Sequence, residues 1–244
     1  MVSVSCNGVV FENVDAIVFD KDGTLANSQN FLIHLAEKRA ACVEAEVPGL
    51  EQQVLQAFGI ENGQINLAGL MAVGTRDETE IAIAPLITQT GYAWSQAREI
   101  ARTAFLKADQ LLPRKADFTP PFVGIVELLE TCRSLKLGIL SSDTEENVRD
   151  FVDRYHLTPF FQLQMGSQPG LSKPDPQLLE LACKALEVLP RNTVVIGDAI
   201  ADIDLAHSGG AIGCIGVTWG GVTTSQLGSA NAIAHHISDI RLLA

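Results

Sequence analysis

Asp20-Lys21-Asp22-Gly23-Thr24 follows directly on the apolar run Asp15-Ala-Ile-Val-Phe19. Residues i and i+2 of an extended chain face the same way, so the carboxylates of Asp20 and Asp22 address one ligand. Gly23 frees the backbone to turn close to that ligand. Far along the chain, Asp198 and Asp202 follow a second apolar run, Thr193-Val-Val-Ile196. Their i, i+4 spacing puts both on one face of a helix start. Ser141, then Ser142 and Asp143, end a third run, Leu137-Gly-Ile-Leu140, and Lys173 follows a loop rich in Gly, Ser and Pro. Three or four converging carboxylates repel one another unless a hard cation with oxygen ligands sits among them, and Mg2+ suits a site that also takes phosphate. Lys173 adds positive charge and Ser141 a hydroxyl donor, and the helix start after Ser141 offers free backbone N–H groups to an anion. Such a set supports reaction at a phosphate group.

These groups meet only if each stands at the same edge of a sheet. Ligands bind at the carboxyl ends of the strands in an open parallel sheet. The runs at 15–19, 137–140, 162–165, 193–196 and 212–216 read as strands covered on both faces, with a short sixth at 231–235. Helices are expected over 122–135, 144–155, 176–188 and 199–208, from apolar spacing, prolines at their starts and the Gly209-Gly210 stop. This alternation predicts an α/β fold, a doubly wound parallel sheet. Residues 27–118 break the rhythm, with helical patterns at 31–43, 52–58, 78–88 and 95–111 and no convincing strand. The expectation is a small all-helical domain of residues 27–118 inserted into a core of residues 1–26 and 119–244. Its two connections, near 25–28 and 116–121, are adjacent and can act as a hinge.

Composition narrows the function classes. In 244 residues, 47% hydrophobic content against 19% charged suits a globular chain with a sizeable core. The net charge of −12 disfavours nucleic acid and anionic membranes as partners, though it leaves a local phosphate site open. No apolar run is long enough to span a bilayer, and Met1 to Val10 lack the charge pattern of a leader, so a cytoplasmic protein is expected. Cys6, Cys42, Cys132, Cys183 and Cys214 have no ligand spacing and read as free, buried thiols. The five histidines likewise lack ligand spacing, and Trp94 and Trp219 read as packing residues.

Taken in order, the motifs are F-D-K-D-G-T-L at Phe19–Leu25, G-I-L-S-S with Ser141, S-K-P-D-P with Lys173, and V-V-I-G-D-A-I-A-D at Val194–Asp202. D-L-A-H-S-G-G and then G-V-T-W-G at Gly216–Gly220 follow. Together they resemble the haloacid dehalogenase-like hydrolase superfamily, in its phosphoglycolate phosphatase-like branch with a helical type-1 cap. The resemblance implies a Rossmann-like core and Mg2+-dependent hydrolysis of a small phosphorylated metabolite. It implies that Asp20 is the nucleophile and becomes an aspartyl phosphate, and that Asp22 is the general acid and base. Asp20, the Asp22 carbonyl and Asp198 would hold the metal, with Asp202 behind them. Thr24, Ser141 and Lys173 would hold or balance the phosphoryl oxygens, with Gly23 and Ser142 beside them. Gly74-Thr75-Arg76 resembles a substrate loop of related mutases and phosphatases, which makes Arg76 a candidate substrate contact and equally a surface ion-pair partner. Asn27 stands where this branch often has an acid. A phosphomutase, a phosphonate hydrolase using Lys38 or Lys107, and a non-catalytic phosphate-binding protein are the alternatives. The sequence does not specify the substrate or the oligomeric state.

Overall fold

The computed structural model describes residues 2–168 and 170–243. Met1 and Ala244, the ends of the expected core, lie outside the described residues, as does Pro169 in the loop before Lys173. The chain opens with β1 (Val2–Cys6), β2 (Val9–Val14) and β3 (Ala16–Phe19). It continues through α1 (Gln29–Glu46), α2 (Glu51–Phe58), β4 (Ile60–Glu61), β5 (Gln64–Ile65), α3 (Leu70–Val73), α4 (Arg76–Thr88) and α5 (Trp94–Gln110). It then runs through α6 (Ile125–Thr131), β6 (Lys136–Leu140), α7 (Glu145–Arg154), β7 (Leu163–Met165) and α8 (Pro176–Leu186). β8 (Thr193–Gly197), α9 (Ile200–Ser208), β9 (Gly213–Val217), β10 (Ala232–Ala234) and β11 (Ile240–Leu243) complete it.

Six strands form one sheet in the order β10-β9-β8-β3-β6-β7, and every pairing in it is parallel. All four residues of β3 and all five of β8 and β9 are buried, as expected of strands covered on both faces. The chain leaves β3 toward β6 and β7 on one side and returns to fill β8, β9 and β10 on the other. The strand order therefore reverses between β3 and β8, the position where open α/β sheets bind ligands. Register fixes what stands there: Phe19 lies opposite both Ile139 and Ile196. The Asp20 N–H extends the ladder by donating to the Ile196 carbonyl at 2.8 Å.

The chain divides into two compact units, residues up to Asn27 with those from Thr119 onward, and Ser28–Phe118. Asn27 belongs with the sheet, one residue beyond the expected boundary, because its N–H donates to the Pro120 carbonyl at 2.8 Å. Each unit has its own apolar core. The first packs Ile17, Phe19, Leu137, Ile139, Val194 and Ile196 with side chains of the flanking helices. The second packs Ala36, Ala40, Val54, Ile83, Ala101 and Phe105, and Phe58 meets Phe105 edge-on at 6.0 Å.

One sheet is added to the expected elements and two expectations are corrected. The chain termini form a second sheet, antiparallel, in the order β11-β1-β2. The inserted unit is not purely helical, since β4 and β5 pair as a two-residue hairpin. The helix expected over 122–135 spans only Ile125–Thr131, because Gly124 at φ 94° takes the left-handed region and resets the chain just before it.

Candidate active site

Asp20 lies one residue past β3, Ser141 one past β6 and Asp198 one past β8, so three neighbouring strands deliver them to one edge. Lys173 arrives from the loop before α8. Its ammonium donates to Asp20 Oδ1 at 2.7 Å and to Asp202 Oδ1 at 2.6 Å. The side chains of Lys173 and Asp202 are buried, and that of Asp20 nearly so. Asp202 is further occupied by its own helix, since its Oδ2 accepts from the Ala199 N–H at 3.1 Å at the start of α9. Carboxylate oxygens of Asp20, Asp198 and Asp202 lie within 4.8 Å of one another.

Three carboxylates against one ammonium leave negative charge uncompensated. Burial raises Asp20 most; Lys173 pulls it back, but the charges of Asp202 and Asp22 push again, and it rests at about 7. Burial also holds Asp198 well above the ordinary carboxylate range, with Asp20 and Asp202 adding to it. Burial alone would depress Lys173, yet Asp20 and Asp202 outweigh it and raise the ammonium above its usual range. A cluster of hard oxygen donors that resists losing its protons is the donor set of a hard divalent cation, which favours the ionised carboxylates.

Gly23 shows how closely the turn must approach. At φ 88° it occupies the left-handed region, and a Cβ there would lie 2.0 Å from Asp198 Oδ2. Thr24, buried beside it, donates to Asp198 Oδ1 at 3.3 Å, so in this state its hydroxyl serves a carboxylate. Ser141 is buried, and its Oγ accepts from the Asp143 N–H at 3.1 Å, which leaves the hydroxyl proton for another acceptor. Ser142 is exposed. Arg76 sits in the first turn of α4 in the second unit, where Thr75 and Glu78 form a capping box and its guanidinium pairs with Asp109. Lys107, one of the two candidate lysines with Lys38, pairs with Glu46.

The structure gives roles to four residues near these groups that motif spacing leaves without one. Trp219 does more than pack: its indole N–H donates to the Thr24 carbonyl at 2.9 Å. Gly220 follows, where a Cβ would lie 2.4 Å from the Gly23 carbonyl oxygen, so the loop after β9 is a brace for the Asp20–Thr24 turn. Trp94, by contrast, is half exposed. Lys21 is almost wholly buried, with its ammonium 2.6 Å from Asp22 Oδ2 and 3.1 Å from Asp143 Oδ2. Asp143 in turn accepts from Asn147 Nδ2 at 2.7 Å through its other oxygen. The signal available was the lysine itself, placed between two acids at the end of a buried strand.

A family model for haloacid dehalogenase-like hydrolases matches residues 14–210. A phosphoglycolate phosphatase of Synechococcus elongatus is 27% identical over 213 residues, with 85% of each chain covered. A pyrophosphatase of Listeria monocytogenes, PpaX, is 24% identical over 209 residues, with 84% of each covered. Among solved structures, a predicted phosphoglycolate phosphatase from Haemophilus somnus superposes with a TM-score of 0.67 at 20% identity, over 93% of this chain and 96% of that one.

Proposed function

Because the chain belongs to the haloacid dehalogenase-like hydrolases, we propose that it is a Mg2+-dependent phosphatase that hydrolyses small phosphate monoesters by way of a phosphoryl group carried on Asp20. The observation that carries this reading is the acid-rich cluster at the strand-order reversal, where Asp20 and Asp202 share Lys173 and Asp198 stands alongside.

In this mechanism Asp20 attacks phosphorus in line with the departing oxygen. Asp22 gives its proton to that oxygen, then takes one from the water that releases phosphate from Asp20. Lys173 favours the ionised form of Asp20 and aims it, and balances charge on the phosphoryl oxygens, while the Ser141 hydroxyl donates to one of them. Asp20, the Asp22 carbonyl and Asp198 would hold the metal, with Asp202 behind them through Lys173 and the Ala199 N–H. Mg2+, when bound, offsets the charge shared by these carboxylates and the phosphoryl group.

The relatives' names favour 2-phosphoglycolate as the first substrate to try, with pyrophosphate beside it, and the panel adds hexose phosphates. We assign the choice among them to the unit Ser28–Phe118, in the role of a cap. The test is phosphate release from this panel with Mg2+ and with chelator. Release that depends on Mg2+ supports the reading, and its ranking names the substrate class. No release from any ester by the folded, Mg2+-supplied protein would overturn it. Exchanging residues 28–118 for the corresponding unit of another phosphatase should reorder the ranking; an unchanged ranking would remove the cap assignment alone.

A further inference from the structure

A lysine with 1% of its side chain exposed must be paired, since an isolated buried ammonium is far too costly to keep charged. Lys21 has two carboxylates, Asp22 Oδ2 at 2.6 Å and Asp143 Oδ2 at 3.1 Å. Residue 21 stands at the bend that follows β3, between the two acids. Its ammonium sits over the Phe151 ring of α7, 5.8 Å from the ring centre, and reaches the Asp22 carboxylate. The far end is anchored as well. Asp143 accepts from the Thr144 N–H at 2.8 Å and from Asn147 Nδ2, and its own N–H donates to Ser141 Oγ. The chain Asp22–Lys21–Asp143–Ser141 therefore ties the turn after β3 to the turn after β6.

We propose that Lys21 is a positioning residue for the acid/base step, holding the Asp22 carboxylate in register with the Ser141 turn. The proposal rests on the assignment of Asp22 as acid and base. Lys21 touches no reacting atom and acts only through Asp22. Loss of its ammonium would leave Asp20 able to attack phosphorus but the leaving oxygen without a correctly placed proton. The cost should then depend on how badly the leaving group needs that proton.

The experiment compares Lys21→Met and Lys21→Arg with the wild type on an alkyl phosphate and on 2,4-dinitrophenyl phosphate, whose phenolate leaves unassisted. Lys21→Met should lose on the order of tenfold to hundredfold in kcat/KM, which reports transfer to Asp20 and not the later hydrolysis common to both esters, on the alkyl ester and less than about threefold on the aryl ester. Lys21→Arg, which keeps the charge, should recover most of the alkyl rate. A fall of equal size on both esters, or no fall on either, would overturn the proposal. Lys21→Met leaves Asp22 and Asp143 without their shared ammonium, so a second arm places it in an Asp22→Asn background. There it should change the alkyl-to-aryl ratio no further; an additional drop would show that Lys21 acts by another route. Asp22→Asn alone separates the two readings. If it spares the alkyl ester, the acid/base assignment itself fails; if it selectively slows that ester while Lys21→Met does not, only the role of Lys21 fails.

Discussion

Both units bury charge, but they balance it differently. In the helical unit, Arg39 of α1 is 5% exposed, donates to Thr79 Oγ1 at 3.3 Å and lies 3.5 Å from Asp109, which Arg76 also engages. Its guanidinium sits 4.5 Å over the Phe105 ring, and Glu80 faces Arg98 at 3.9 Å. Burial lowers Arg39 to about 10, with Asp109 opposing, so it stays charged at neutral pH. Acids and bases there nearly cancel, as in a packing interface. At the carboxyl edge of the sheet, Asp20, Asp198 and Asp202 gather around the one ammonium of Lys173, and Asp20 and Asp198 are pushed upward instead. Buried charge that is compensated locally supports a fold; buried charge left uncompensated marks a place reserved for a ligand.

The largest break in that comparison comes from Asp20→Asn, which should lower phosphate release by at least about a thousandfold while leaving the protein folded, because the proposed nucleophile and metal ligand would be lost together. Gly23→Ala should cost on the order of a hundredfold in activity, measured at saturating Mg2+, since its Cβ would occupy the place of Asp198 Oδ2.

Protons sharpen the contrast next. The folded-state value of Asp20, about 7, stands above its ordinary 3.8, so between those values the folded chain holds more protons than the unfolded one. Stability of the chelated protein should therefore fall as pH rises from about 4 to about 7. Mg2+ favours the ionised acids and should flatten that slope, raising Tm by on the order of 5 °C at pH 7.5 and much less at pH 5. Equal Mg2+ stabilisation at both pH values would contradict the charge account.

Arg39→Met should act on stability instead, costing roughly 2 kcal/mol in denaturant unfolding, because Asp109 keeps Arg76 as a partner. The smallest effect belongs to the exposed pair Glu99–Arg102, where Arg102→Ala should leave Tm unchanged within error.

What was legible in the sequence follows from the same physics. The central parallel strands β3, β6, β8 and β9 read clearly because burial on both faces makes each an almost continuous apolar run, and their polar ends then name Asp20, Ser141 and Asp198. The two hairpins did not read, although both carry an Asn-Gly turn. Asn7-Gly8 joins β1 to β2 and Asn62-Gly63 joins β4 to β5, all four residues at positive φ. β1, Val2-Ser-Val-Ser-Cys6, alternates as a half-buried strand should, but its partner β11 lies at the other end of the chain, where no local pattern points to it. β4 and β5 are too short for any periodicity to appear. Asp202 was legible as an acid at a helix start, but its ties to Lys173 and the Ala199 N–H needed coordinates. Lys21 was hidden for a different reason: spacing gives the face a side chain leaves from, and a four-carbon stem can carry its charge back to the other.

The most direct measurement is rapid-quench labelling with a 32P-phosphorylated substrate in Mg2+, followed by location of the label in the chain. The account predicts a phosphoryl group on Asp20, formed as fast as substrate is consumed, reaching at most about one per chain and absent from Asp20→Asn. Mg2+-dependent phosphate release with no label on the protein, or with label elsewhere, would contradict it.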